Sequence, residues 1–143
     1  MFDHIVVALD GGELSDKALD YALTIARTTR GKIRLVHVVD HRTTATVRRL
    51  MAPTEPKIIE QLSASGREVL EAGKERCTRW DVPVSVFGTE GVVAHEICTA
   101  AKEFSADLIV MGTHNRTGAA GVLLGSVAQG VLAESPCPVF LVR

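Results

Sequence analysis

The sequence predicts an α/β protein built on an open five-stranded parallel sheet with helices on both faces, a Rossmann-like arrangement. Three observations carry that expectation. Short apolar runs alternate with segments of helical periodicity in the order β-α-β-α-β-α-β-α-β, and such alternation selects parallel strands joined by crossover helices. The runs are continuous rather than alternating in polarity, as strands covered on both faces require. The hydrophobic fraction is 46% while aromatics supply only 4%, so Val, Ile, Leu and Ala must fill the interior.

The first strand is Ile5-Val6-Val7-Ala8-Leu9, flanked by His4 and Asp10 and closed by Gly11-Gly12. Apolar positions at Leu14, Ala18, Ala22, Leu23, Ile25 and Ala26 predict a helix that ends near Gly31. Ser15 is placed to cap it, and Asp16 suits its first turn. A second strand runs from Ile33 to Val39. Residues 40–56 read as the longest irregular loop, polar and broken by Pro53 and Pro56, and long enough to fold over a bound ligand. Helical spacing resumes at Lys57 and runs through Ile58, Leu62, Val69, Gly73 and Cys77 to about Arg79, with Trp80 as a core residue at its end. Val82 to Phe87 is the third strand, and Pro83 assigns it to an edge or marks its start. Val93, Ala94, Ile97, Cys98, Ala101 and Phe104 mark the next helix. Asp107 to Met111 is the fourth strand, stopped by Gly112. A glycine-rich loop leads to a helix over Ser126–Glu134, whose Ser126 and Gln129 have the spacing of a capping box. Val139 to Val142 is the last strand.

A length of 143 residues without linker, repeat or low-complexity tract predicts a single domain over 1–143. The 16 basic and 17 acidic residues leave a net charge of −1. That balance argues against nucleic acid as a partner, which calls for a basic excess, and the scarcity of aromatics argues against base stacking. Cys77, Cys98 and Cys137 are odd in number and have no CxxC spacing, as expected of reduced, mostly buried thiols in the cytoplasm. The start Met1-Phe2-Asp3-His4-Ile5 lacks a basic region ahead of an apolar run, so no signal peptide is expected. No stretch approaches ~20 apolar residues, so no membrane partner is expected.

In open parallel sheets, ligands bind outside the carboxyl ends of the strands where the strand order reverses. The residues to read there are Asp10-Gly11-Gly12, Val38-Val39-Asp40, Gly88-Thr89-Glu90 and Gly112-Thr113-His114-Asn115. From Gly112 the chain offers Gly118, Gly121, one full positive charge at Arg116, and a helix start at Gly125-Ser126. Free N–H groups at a helix start and close backbone approach at glycines make a phosphate cradle. It is not a Walker A loop, and the first turn, Asp10-Gly11-Gly12-Glu13-Leu14, lacks the dinucleotide fingerprint. Nor is there the phosphoacceptor Asp and Lys of a receiver domain. Asp10 alone would read as a turn residue, and Arg116 alone as a solvated charge. His37 and His41 do not share a helix face and do not make a metal site.

These residues resemble the universal stress protein family in its nucleotide-binding form. The family's ATP motif is Gly, two residues, Gly, nine residues, Gly, then Ser or Thr. Here Gly112 is followed by Thr113-His114, Asn115, nine residues from Arg116 to Leu124, and Gly125-Ser126. The opening Ile5–Gly11 and closing Ser135–Val139 segments are similar to the family's as well. Asn115 replaces the motif's second glycine, and Gly12 stands where many members have Ser. Asn is the non-glycine residue best able to take a left-handed turn.

The resemblance implies a sheet order of 3-2-1-4-5. It places Ala8 and Asp10 along adenine and ribose, with Val38 against adenine through its backbone. Met111, Gly112 and Asn115 would border ribose and phosphates, Gly125, Ser126 and Val127 would hold the phosphates, and Arg116, His114 and Thr117 would assist. It implies ATP, ADP or AMP as ligand, Mg²⁺ as counter-ion and a stress-response role. It further implies a homodimer through the Val139–Val142 strand. No positioned general base is evident, so ATP hydrolysis is expected to be slow or absent. The alternative expectation is a dimeric stress-response interaction module that binds no nucleotide, with Asn115 as its mark.

Overall fold

The structure is a computed structural model and describes residues 1–51, 53, 55–114 and 124–143; the side chain of Glu55 is not among those described. Five strands form one parallel sheet: β1 (His4–Ala8), β2 (Lys32–Asp40), β3 (Val84–Gly91), β4 (Leu108–Gly112) and β5 (Val139–Val142). Their order is β3-β2-β1-β4-β5, the order expected. Five helices surround it: α1 (Glu13–Thr29), α2 (His41–Leu50), α3 (Glu55–Arg79), α4 (Val93–Glu103) and α5 (Ser126–Glu134).

The two-residue alternation of strands divides the interior into two layers. Ile5, Val7, Ile33, Leu35, Leu108 and Val110 face Leu19 and Leu23 of α1 and Leu70 and Cys77 of α3. Val6, Val36, Ile109 and Met111 face Ile97 and Ala101 of α4 and Ala128 and Val131 of α5. Pairing Ile5 with Ile33 on one side and Leu108 on the other keeps the large residues of one face level across three strands. β1 is central, and its Ile5, Val6 and Val7 are fully buried, which explains why that run has no polar alternate.

Three expectations need correction. Residues 40–56 are not an irregular loop, because they contain α2. Asp40 caps this helix, its Oδ1 accepting from Arg42 N–H at 2.9 Å. Its one buried residue is Thr44, whose hydroxyl donates to Glu90 Oε1 at 2.5 Å. A helix held by a polar contact carries no apolar stripe for periodicity to reveal. Trp80 is not a core residue. It is 39% exposed, with the Arg27 guanidinium 5.8 Å from its ring centroid. α1 ends near Gly31 as expected, its cap being Arg30 in the left-handed conformation at φ 58°. Gly31 is required instead for space, since a Cβ there would lie 2.6 Å from the Phe2 carbonyl oxygen. β3 begins at Val84 rather than Val82 and continues to Gly91, paired with β2 through Asp40. Its edge position, which Pro83 suggested, holds.

Cys77 and Cys98 are buried and Cys137 is partly buried. Burial pushes the Cys77 thiol up to about 11, as for a structural rather than a reactive sulfur. Among the described residues, no helix is long and apolar enough to cross a membrane.

Two outcomes follow from this packing. Leu35→Ala removes a fully buried side chain and costs about 2–5 kcal/mol of stability in urea unfolding. The hydrogen bonds from the Arg42 side chain hold the Asp40 carboxyl below its ordinary value of 3.8. The stabilisation by its charge is therefore complete above the unfolded value and lost as pH falls through the folded one. Asp40→Asn keeps a capping side chain but no charge. The stability difference between it and the wild type should shrink to nothing on acidification through that window.

Candidate functional site

The sheet order reverses between β1 and β4, whose connections leave on opposite faces, and a cleft opens at their carboxyl ends. It holds about 160 Å³. Its walls come from the ends of three strands: Ala8, Leu9 and Asp10 after β1, Val36, Val38 and Asp40 from β2, and Met111, Gly112 and His114 from β4. Helices close the rest with Ser15 of α1, Val93 and Ile97 of α4, and Val127 and Ala128 of α5.

Of the residues the sequence selected, Ala8, Asp10, Val38, Met111, Gly112 and Val127 are brought together on this one cleft, with His114 beside them. Gly125 and Ser126 are not on its wall; they open α5, the helix that contributes Val127 and Ala128. Asn115, Arg116 and Thr117 lie outside the described residues. Sequence reasoning missed Leu9, Ser15, Val36, Val93, Ile97 and Ala128 as wall residues. Val93 and Ile97 had been assigned to the core stripe of α4, and periodicity does not distinguish a residue that covers the sheet from one that overhangs a cleft. Asp40 was within reach, as the residue that ends β2.

The turn after β1 is fixed by its own side chains. Asp10 Oδ1 accepts from Gly12 N–H at 2.8 Å, Asp10 N–H donates to Ser15 Oγ at 3.3 Å, and Ser15 Oγ donates to the Gly12 carbonyl at 3.0 Å. Ser15 is thus not the cap of α1. That position is Gly12, and Ser15 sits buried inside the first turn. Asp10 is both a turn residue and a cleft residue. Its charge also reaches His37, whose pKa is lowered by burial more than Asp10 raises it.

The end of β4 is packed as tightly. A Cβ on Gly112 would lie 2.9 Å from Leu14 Cβ, and one on Gly125 would lie 3.1 Å from His114 Cα. Both glycines therefore allow close approach. Gly125 N–H donates to the Thr113 carbonyl at 2.7 Å. The expected capping box does not form, because the cap of α5 is Gly125 and Ser126 is the first helical residue. Gln129 Nε2 instead donates to the Leu124 carbonyl at 2.9 Å.

Of the helices that begin at the cleft, α1 and α5 differ in charge. α1 carries Glu13 and Asp16 in its first turn, which satisfy its positive end. α5 has neither an acidic residue in its first turn nor a side-chain cap, so its free N–H groups suit an incoming anion. Much of the cleft wall is apolar, through Val36, Val38, Val93, Ile97 and Met111 together with Val127 and Ala128 of α5. Asp10 and Asp40 supply acceptors. The wall thus combines apolar side chains, two carboxylates and a helix start. Among the described residues, no group of three or more His, Cys, Asp or Glu side chains is placed to hold a metal.

A second groove of about 540 Å³ lies on the other face of the sheet, between α3 and the β2–β3 edge, lined by His37, Gly66, Arg67 and Val86 among others. It is larger, but it lies away from the strand-order reversal and no helix begins there. The cleft between β1 and β4 is therefore the candidate site.

The sequence model of the universal stress protein family matches residues 1–143. A universal stress protein of Methanocaldococcus jannaschii is 35% identical over 144 residues, covering 100% of this chain and 83% of its own length. One from Bacillus subtilis is 34% identical over 148 residues, covering 100% of each chain. Among solved structures, the hypothetical protein MJ0577 superposes with a TM-score of 0.87 at 26% identity, over 99% of this chain and 96% of its own. Two more share the fold at 22% identity. One is a universal stress protein in complex with cAMP, at a TM-score of 0.72 over 99% of this chain and 97% of its own. The other is an Archaeoglobus fulgidus universal stress protein in complex with dAMP, at 0.68 over 100% of both chains. The sheet order, the place of the cleft and a match that spans the whole length agree: the chain belongs to the universal stress protein family.

Proposed function

We propose that this protein is a cytoplasmic stress-response regulator whose cleft binds an adenine nucleotide, ATP or its ADP and AMP forms, with little or slow hydrolysis. The observation that carries the reading is the start of α5. It is a helix N-terminus with no acidic residue in its first turn and no side-chain cap among the described residues, beside a cleft whose wall is largely apolar. Base and ribose lie along Ala8, Asp10, Val38 and Met111, and the phosphates meet Gly112, Gly125, Ser126 and Val127, with Asn115 and Arg116 following in the chain. The complexes of two fold relatives with cAMP and dAMP support an adenine nucleotide as the ligand class. Mg²⁺ enters with the triphosphate, held by phosphate oxygens and water rather than by a protein cage. ATP then acts through the conformation it favours rather than through its cleavage.

Homodimerisation through β5 completes the proposal. β5 is an edge strand. On its α1 side Phe140 is 38% exposed and lies against the exposed Tyr21, ring centroids 5.3 Å apart. An exposed apolar edge of this kind calls for a partner, and an antiparallel β5–β5 pair across a two-fold axis supplies one. The same face supports the second reading, an interaction module that binds no nucleotide, which is favoured by Asn115 at the motif's second glycine.

Nucleotide released from freshly purified protein and identified by mass spectrometry should be adenine-based, and calorimetry should show ATP binding by the emptied protein. Absence of adenine nucleotide in both leaves the second reading. Asn115→Gly separates the two as well, since it modifies existing ATP binding in the first and creates it in the second. In sedimentation analysis the wild type should be a dimer and Phe140→Glu a monomer; a monomeric wild type contradicts the β5 pairing.

A further inference from the structure

Thr113 follows β4, is buried, and is held from two sides. Its N–H donates to the Val142 carbonyl at 2.8 Å and its carbonyl accepts from Gly125 N–H at 2.7 Å, tying it to the end of β5 and the start of α5. His114, next in the chain, lines the cleft. Its backbone is closely packed as well, since a Cβ at position 125 would lie 3.1 Å from His114 Cα. The two side chains meet, with Thr113 Oγ1 3.2 Å from His114 Nδ1. One ring nitrogen is therefore engaged by a residue fixed in the scaffold, and Nε2 is the nitrogen left to meet what enters the cleft.

We infer that Thr113 is a positioning residue that holds His114 through Nδ1 so that Nε2–H is the donor to the phosphate groups of the nucleotide, an inference that rests on the nucleotide reading above. An ionised phosphate offers only acceptors, so an imidazole meets it only through an N–H. A neutral ring has one N–H and one bare nitrogen, and the partner of one nitrogen decides the state of the other. A hydroxyl can donate. With the Thr113 O–H directed at Nδ1, the proton resides on Nε2. A carbonyl or carboxylate in the place of the hydroxyl would impose the opposite tautomer. His114 then works beside the N–H groups at the start of α5 and adds a side-chain phosphate donor to the cleft wall.

Thr113→Val keeps the shape of the side chain and removes the donor, while Thr113→Ser restores it. Nitrogen-15 NMR of the imidazole, above the ordinary histidine titration range, reads the tautomer directly. Wild type and Thr113→Ser should show Nε2–H alone, and Thr113→Val a mixture. In calorimetry, Thr113→Val and His114→Ala should weaken ATP binding about three- to tenfold, the worth of one hydrogen bond, and leave adenosine binding unchanged, with Thr113→Ser as wild type. An Nδ1–H tautomer in the wild type, or wild-type ATP affinity in Thr113→Val, overturns the inference. Should Thr113→Val not fold, His114→Ala carries the comparison of ATP with adenosine. A wild type that binds no adenine ligand overturns the nucleotide reading and the phosphate role with it, while the tautomer measurement still decides whether Thr113 fixes the ring.

Discussion

The structure depends on one constraint: β1 sits at the centre of the sheet, buried on both faces, with β2 on one side and β4 on the other. A right-handed crossover from β1 to β2 carries α1 onto one face, and the later crossovers carry α4 and α5 onto the other. The chain leaves β1 and β4 in opposite directions, so the carboxyl ends of these adjacent strands cannot both be covered. The cleft is this uncovered place, a consequence of the strand order rather than an addition to it.

What the cleft recognises is then decided by small local differences. α1 and α5 both begin beside it. The first has Glu13 and Asp16 for its positive end, and the second has none. With a net charge of −1 over the whole chain, anion recognition cannot rest on a basic patch. On the proposed reading it falls instead to the backbone N–H groups of Ser126 and Val127 at the start of α5, since the Gly125 N–H is held by the Thr113 carbonyl, and the close packing of Gly125 on His114 leaves little room for a larger residue. The apolar wall, from Val36 to Ile97, completes the chemistry of an amphipathic ligand.

The strands and their order were legible because continuous runs such as Ile5–Leu9 have one physical explanation, burial on both faces. Five of the ten selected site residues, Ala8, Asp10, Val38, Met111 and Gly112, stand at strand ends, which the topology puts in one place. What could not be read depended on partners distant in the chain. α2 is anchored by Thr44 on Glu90, a contact across 46 positions that leaves no apolar period. Trp80 has the composition of a core residue, yet the chain turns outward after α3 and Arg27 covers its ring. Ser15 and Ser126 both sit near helix starts, but the caps fell to glycines, because Ser15 is drawn into the Asp10 turn and Gly125 is fixed by Thr113.

The central claim is that the start of α5 receives the phosphates. The most direct measurement is the backbone amide spectrum of the protein titrated with adenosine and, separately, with ATP. If the start of α5 receives the phosphates, both ligands shift the apolar wall at Val38 and Ile97, and only ATP shifts the Ser126 and Val127 amides strongly. Equal shifts of these amides with adenosine, or no shift with ATP while the apolar wall responds, would contradict that claim.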